Sequence, residues 1–372
     1  MYRKLTVVSF VFEFKMVEFH KLEIKDIYKE TEDTSVITFN VPAELQNDFD
    51  FQQGQHLTLK ANIKGEDLRR SYSLCSSPID KKWQVAVKQI PGGKFSTYIN
   101  EELKQGETLE VMAPSGAFGV KVNPKEAKNY LFFAAGSGIT PVLSMIKTHL
   151  ASEPNSTCKL FYVNKTAKSI IFKEELEQLR NTYFGRLEIY YFLTKERRDI
   201  ELFNGRFDDE KMKVLTSTFI DMPDTNEVFL CGPEQMVKYV SQYLIDAGLP
   251  KELVHYELFV TGLSEEDIKR AERLAKQDVE GTEVVIVDGG KEFLFTMTKE
   301  FDNILDAALN AGADLPFACK GGVCSTCKCE VKEGAVEMKI NYALDEKEVS
   351  QNLVLSCQAV PTTDKVVVDF DV

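Results

Sequence analysis

Cys319, Cys324, Cys327 and Cys357 fall in the pattern C-x4-C-x2-C-x29-C, set in LPFACKGGVCSTCKCE and LSCQAV. Three thiols on one short loop and a fourth from a separate segment require a fold that brings both segments around a single group. The spacing is that of a [2Fe–2S] site, in which four thiolates close a cage. Gly321 and Gly322 allow the loop to turn its backbone N–H groups toward sulfur. Zinc is the alternative, although it usually brings two C-x2-C pairs and here there is one, behind an x4 spacing. A disulfide framework does not suit eight cysteines in 372 residues with nothing to mark secretion. Cys329 sits outside the spacing and is expected to pack beside the loop rather than ligate.

A chain of 372 residues needs more than one core, so the cysteine loop belongs to one unit of two or three. With 44% apolar and 28% charged residues the composition is that of a soluble globular protein. No apolar run approaches the roughly 20 residues that span a bilayer, so no membrane partner is expected. The opening MYRKLTVVSFVFEFK lacks a small-residue cleavage site and runs into Glu13 and Lys15. It therefore reads as an extra strand or loose extension rather than a signal peptide. A cytoplasmic setting agrees with thiolates that must stay reduced. The net charge of −13 argues against nucleic acid. From Gly281 to Val372 there are 16 acidic residues against 8 basic ones, so most of the excess negative charge surrounds the cysteine loop. That surface offers a docking face for a basic redox partner, or serves solubility alone.

From Phe19 to about Met112 short alternating runs, such as KLEIKDIYKE, SVITFNVP, QHLTLKANI and WQVAVKQI, are separated by turn residues. They predict a small antiparallel barrel. On one of its strands, Arg70-Ser71-Tyr72-Ser73 offers a cation, an aromatic ring and a hydroxyl expected on one face: a phosphate contact, a surface for a flavin ring and a group near its reactive edge. Gly92-Gly93-Lys94-Phe95-Ser96-Thr97 places glycines before the helix KFSTYINEEL, whose free N–H groups suit a pyrophosphate.

After Pro124 apolar strands alternate with helices. NYLFFAAG runs into Ser137-Gly138-Ile139-Thr140-Pro141, and three further strand–helix units follow. They predict a doubly wound parallel sheet with ligands at the carboxyl ends of its strands, where Gly136, Thr140, Asn164, Lys165, Cys231, Gly232 and Pro233 fall. The polar stretch TGLSEEDIKRAERLAKQDVEG reads as a partly helical linker, with Ser264 and Asp267 as a capping box and Ile268, Ala271 and Leu274 as its apolar stripe. Beyond it, a hairpin, a helix ended by Gly312 and a short helix introduced by Asp345 and Glu348 frame the cysteine loop as a compact α+β unit.

Arg70-Ser71-Tyr72-Ser73, Gly92 to Thr97, Gly136 to Pro141 and Cys231-Gly232-Pro233 resemble, in type and order, the motifs of the ferredoxin–NADP reductase superfamily. The cysteine spacing matches plant-type ferredoxins, and the order, reductase first, resembles the reductase components of multicomponent oxygenases, epoxidases included. The resemblance implies an antiparallel β-barrel flavin domain over 16–122, an α/β nucleotide domain over 123–260, a linker over 261–281 and a β-grasp-like ferredoxin domain over 282–372. It implies FAD, with FMN as the alternative, NADPH in preference to NADH, and a [2Fe–2S] cluster as cofactors, and as the protein acceptor an epoxidase core or, alternatively, another oxygenase, hydroxylase or desaturase. Arg70 would meet the flavin pyrophosphate, Ser71 and Tyr72 would line the flavin site, and Ser73 would lie near N5. Val87 and Lys88 would line the same pocket, while Gly93, Phe95, Ser96 and Thr97 would hold phosphates. Gly136, Gly138, Thr140, Asn164, Lys165, Gly232 and Pro233 would receive the nicotinamide nucleotide. Cys231, Glu257 and Phe259 would lie by the nicotinamide–flavin contact, with Ser73, Cys231 and Glu257 at the chemistry. Cys319, Cys324, Cys327 and Cys357 would ligate iron.

Where such reductases often carry Asn-Arg, this chain has Asn164-Lys165, with Lys168, Ser169 and Arg197-Arg198 nearby. A lysine still meets a 2′-phosphate, as a point charge. His20, His56, His149 and His255 form no motif and are expected to be structural. The sequence carries no repeated Glu-x-x-His, so oxygen chemistry is assigned to the partner.

Overall fold

The computed structural model describes residues 19–259 and 265–372. The expected N-terminal extension and Ser264, half of the expected capping box, lie outside the described residues. The first unit is built from β1 (Phe19–Thr31), β2 (Thr34–Asn40), β3 (His56–Ile63), β4 (Glu66–Ser73), β5 (Trp83–Lys88), helix α1 (Lys94–Glu101) and β6 (Thr108–Ser115). The strands pair antiparallel in the order β4-β3-β6-β1-β2-β5. A bridge from Leu74 to Val85 joins the two edges, so the sheet closes on itself as a barrel. Alternation explains the inside: Leu22 and Ile24 of β1 are fully buried between exposed neighbours. Phe95 and Ile99, spaced by four, bury one face of α1 against the barrel core, and Leu103 just beyond the helix continues it.

The second unit alternates β7 (Asn129–Ala135), α2 (Ile139–Ser152), β8 (Thr157–Asn164), α3 (Lys173–Thr182), β9 (Leu187–Leu193), α4 (Asp209–Val214), β10 (Glu227–Gly232), α5 (Glu234–Asp246) and β11 (Val254–Leu258). All pairs are parallel, in the order β11-β10-β7-β8-β9. Its strands are apolar on both faces because helices cover both: Phe132 packs with α2 and Phe133 with α5 and the residues around α4. The order reverses between β7 and β10, which opens a crevice beyond their carboxyl ends. Ser144 and Thr148 of α2 hydrogen-bond Ser76 and Ser77 at 2.6 and 2.8 Å, fixing this unit to the barrel.

Helix α6 (Glu265–Leu274) follows, with Leu274 buried but Ile268 42% exposed, so the expected stripe is buried at only one end. The third unit comprises β12 (Glu283–Asp288), β13 (Lys291–Thr296), α7 (Ile304–Asn310), β14 (Lys328–Glu333), β15 (Val336–Met338), α8 (Glu346–Ser350), β16 (Leu353–Leu355), β17 (Ala359–Pro361) and β18 (Lys365–Asp369). A mixed sheet in the order β13-β12-β18-β14-β16 carries α7 on one face, and β15 pairs with β17. Gly289 and Gly290, both with positive φ, make the hairpin turn, and Asp345 with Glu348 forms the expected capping box. Among the described residues no helix is long and apolar enough to cross a membrane.

Candidate functional site

Strand β4 divides the site. Successive side chains alternate, so Arg70 and Tyr72 share one face and Arg69, Ser71 and Ser73 the other. The expectation that the Ser73 hydroxyl shares Tyr72's face is therefore corrected. Tyr72 lies 6.1 Å from the Phe95 ring, centroid to centroid, at the edge of the barrel core, while Arg70 is exposed. The Ser71 hydroxyl pairs with Thr58 at 3.3 Å. Ser73 instead points across to the nucleotide unit and donates to Glu257 at 3.2 Å.

Gly92 turns the chain at φ +75°, and Gly93 begins α1 with no side-chain cap, so the first N–H groups of the helix keep their donors free of protein side chains. A Cβ on Gly93 would stand 2.6 Å from the Ser96 hydroxyl, which is turned back to Gly93 and Ile90. Several residues expected in this pocket are committed elsewhere. Phe95 and Val87 are buried in the barrel core, Val87's carbonyl accepts the Asn100 amide, and Lys88 holds Asp33 at 2.9 Å. The Thr97 hydroxyl accepts from Gln89 at 3.4 Å. Backbone rather than side chains is what this turn presents.

At the end of β7, Gly136 adopts φ +53° with open space where a Cβ would stand. Gly138 is packed so closely that a Cβ would come within 2.1 Å of the Cys231 carbonyl oxygen. The β7–α2 turn thus rests on the end of β10, as a nucleotide crevice requires. Thr140 is buried with its hydroxyl on the Ser137 carbonyl at 3.0 Å. Cys231 pairs in register with Glu257 on β11, and Phe259 donates its N–H to Gly232 at 3.1 Å; Pro233 opens α5. Burial pushes the Cys231 thiol well up, and the Glu257 charge adds to the shift. Burial likewise pushes Glu257 up to about 7, helped by Cys324 and opposed by the Ser73 hydrogen bond. Ser73, Cys231 and Glu257 come together from three strands. Asn164 is buried, its amide nitrogen without a hydrogen-bond partner among the described residues, beside exposed Lys165. Arg197 and Arg198 are engaged by Glu201 and the Tyr191 carbonyl.

The cysteines come together as couples. Cys319 bonds Cys324 and Cys327 bonds Cys357, thiol to thiol, which holds Cys324 down to about 5 and Cys357 below the usual thiol range. Cys324 also acts electrostatically on Cys327 and Cys357. Among the described residues no group of three His, Cys, Asp or Glu forms a single-ion site. Two couples suit two irons, each taking two thiolates. The loop turns through positive φ at Lys320, Gly322 and Ser325, and Gly321 points its N–H at Cys319 Sγ, 3.3 Å away. Gln358 donates to Cys357 Sγ at 3.5 Å and to the Lys320 carbonyl at 2.9 Å, and Ser356 bonds the Cys327 carbonyl, so the fourth ligand's segment is stitched to the loop. Four free thiols, one of each couple held low and its partner pushed up by the shared hydrogen bond, and the Gly321 N–H turned to sulfur fit the cluster. Cys329 is fully buried in the core beneath.

Sequence reasoning missed Arg69, His56 and Tyr342. Arg69 stacks on Phe317 at 3.9 Å; His56, in register with Ser73, meets Ser115 at 3.2 Å and feels Cys324. Tyr342 reaches Glu234 and Asp267. Only the doubled Arg of RRSYS hinted at any of them. His149 and His255 pair with Glu153 and Glu227, and His20 packs on Phe49.

Three family profiles match in succession: an oxidoreductase FAD-binding domain over 21–119, an oxidoreductase NAD-binding domain over 132–242 and a 2Fe-2S iron-sulfur cluster binding domain over 287–362. The last spans all four cysteines and favours iron–sulfur over zinc. The chain is 43% identical to a subunit of 1,2-phenylacetyl-CoA epoxidase from Escherichia coli (strain K12), over 96% of this chain and 99% of that one. It is 33% identical to the ferredoxin reductase component of 3-ketosteroid-9-alpha-monooxygenase from Rhodococcus rhodochrous, over 94% of this chain and 96% of that one. In fold it resembles phthalate dioxygenase reductase, with a TM-score of 0.58 at 23% identity, covering 95% of this chain and 98% of that one. The chain belongs to the family of oxygenase reductases, electron-transfer enzymes in which FAD-binding, NAD-binding and 2Fe-2S units succeed one another along one polypeptide.

Proposed function

We propose that the chain takes electrons from NADPH and delivers them to an oxygenase core that epoxidises phenylacetyl-CoA. The acceptor is supported by the 43% identity to the E. coli epoxidase subunit over nearly the whole chain. The observation that carries the electron path is the meeting of Ser73, Glu257 and Cys231, with the cysteine loop on the same side of β4 as Ser73. When bound, FAD splits a hydride's electron pair into the single electrons that a [2Fe–2S] cluster passes on.

The protein's own part is placement. Arg70 would hold the flavin pyrophosphate and Tyr72 would pack on the flavin, while the N–H groups of Lys94, Phe95 and Ser96 in the first turn of α1, which has no side-chain cap, would hold phosphate oxygens. Glu257 fixes the direction of the Ser73 hydroxyl, which would lie near the flavin's reactive edge. Gly136, Gly138 and Thr140 let the nucleotide approach backbone, and Cys231, Gly232, Pro233 and Phe259 wall the nicotinamide side. Asn164's spare amide meets the adenosine ribose. Lys165 and Lys168 are exposed and have no ion-pair partner among the described residues, which supports a 2′-phosphate and so NADPH over NADH. The units run over 16–122, 123–260 and 282–372 with a linker at 261–281, and a cytoplasmic setting suits the free thiols.

The test is reconstitution of the purified holoprotein with a phenylacetyl-CoA epoxidase core, measuring NADPH consumed against epoxide formed. Coupled turnover supports the acceptor. NADPH oxidation without epoxide, restored by a steroid monooxygenase or another oxygenase, would reassign it.

A further inference from the structure

The electron-path reading leaves open what presses the cysteine loop against the barrel. We propose that Arg69 and Phe317 are positioning residues whose stack sets the transfer of electrons across β4 to the cluster, an inference that rests on that reading.

Arg69 precedes Arg70 and faces the opposite side of β4, the side of Ser73. Its guanidinium carbon lies 3.9 Å from the ring centre of Phe317, two residues before Cys319, and 5.0 Å from that of Phe19 on β1. Lys320 also lies over the Phe317 ring, its Nζ 4.6 Å from the ring centre. Arg69 thus links Phe19 of the barrel to Phe317 of the cysteine loop, and Lys320 of that loop shares the Phe317 ring. The Arg69 side chain is 13% exposed, its Nε is buried without a hydrogen-bond partner among the described residues, and its ion pair with Asp67 is long at 3.7 Å. The two rings, more than hydrogen bonds, hold this cation. A planar, weakly hydrated guanidinium suits that role, and a lysine does not.

A second anchor lies on the other flank. The Tyr342 hydroxyl meets Glu234 on α5, its ring lies 5.6 Å from Lys238, and its N–H bonds the Gly322 carbonyl inside the cysteine loop at 2.9 Å. The loop thus touches the nucleotide unit through Tyr342 and the barrel through Phe317. Each hydride brings two electrons and the cluster accepts one at a time. Oxidation of one NADPH therefore reduces two clusters, or one cluster twice, and releases one proton. Both transfers depend on the spacing that the Arg69–Phe317 stack maintains, and misplacement slows them.

The test uses full-length holoprotein and the variants Arg69→Ala, Phe317→Leu and Phe317→Tyr. Anaerobic rapid mixing with NADPH follows flavin and iron–sulfur absorbance separately, and amide exchange with mass spectrometry reads residues 317–327. Flavin reduction is expected at the parent rate throughout. Arg69→Ala and Phe317→Leu should reduce the cluster about tenfold more slowly, the population change that loss of one desolvated cation–π contact allows, and exchange 317–327 faster. Phe317→Tyr, which keeps the ring, should match the parent. Should Arg69→Ala fail to retain flavin, Phe317→Leu, which leaves the barrel unchanged, decides. Parent rates together with parent protection in that variant overturn the proposal. A parent protein whose flavin bleaches while its cluster stays oxidised refutes the electron path instead, and the exchange comparison alone then judges the stack.

Discussion

Ser73 on β4 donates its hydroxyl to the Glu257 carboxylate on β11 at 3.2 Å, a bond that joins the barrel to the parallel sheet at the proposed site of hydride transfer. Glu257 sits beside Cys231, and burial pushes its carboxyl up to about 7.

The sign of the resulting pH dependence follows. The folded chain binds this proton more tightly than the unfolded one, whose carboxyl titrates near 4.3. Stability therefore falls as pH rises between the two values, the penalty being absent below about 4.3 and complete above about 7. Glu257→Gln removes it. The melting temperature of Glu257→Gln relative to the parent should climb from pH 4.5 through 7 and then level off; a difference independent of pH contradicts the assignment.

Gly138 and Gly136 should respond differently to alanine. At Gly138 the new methyl meets the Cys231 carbonyl carbon at 2.5 Å and its oxygen at 2.1 Å, so backbone must move, at about 1–3 kcal/mol of stability. At Gly136 the space is open and the cost is the left-handed φ of +53°, about 1 kcal/mol. Denaturant unfolding ranks them. Gly138→Ala should also raise the KM for NADPH, because the crevice at β10 opens with it.

Lys165→Ala and Lys168→Ala should each raise the KM for NADPH about threefold to tenfold while leaving that for NADH near the parent value, as expected for one exposed charge on a 2′-phosphate. Equal effects on both nucleotides would place the lysines away from that phosphate.

Coupling to the oxygenase should weaken with salt. The acidic surface of the C-terminal unit acts over the screening length, which shrinks to about 8 Å at about 0.15 M ionic strength and further beyond. The apparent KM for the oxygenase core should rise across a salt series while ferricyanide reduction by the chain alone stays flat.

Much of this architecture is legible in the sequence because its signals are local. Alternation at Leu22 and Ile24, two-sided burial at Phe132 and Phe133, and the Asp345–Glu348 box each depend on neighbours a few residues away. The cysteine spacing names its four thiols for the same reason. What a motif does not state is which of its members turn inward: Phe95 and Val87 belong to the barrel core, and Ser73 faces away from Tyr72. The three-residue strands β15 and β17 are too short for any period to show. Contacts between units, Arg69 with Phe317 and Tyr342 with Glu234, join residues whose proximity exists only after three cores have formed.

The central claim is that electrons enter at the nucleotide crevice and leave through the cysteine loop. Replacing Cys324 with Ser removes one ligand, and NADPH-driven reduction of ferricyanide and of cytochrome c then separates the two ends. Ferricyanide, which takes electrons from flavin, should be reduced at close to the parent rate, while cytochrome c reduction falls steeply together with the iron–sulfur absorbance. Full retention of cytochrome c reduction in a variant that has lost its cluster would contradict the account.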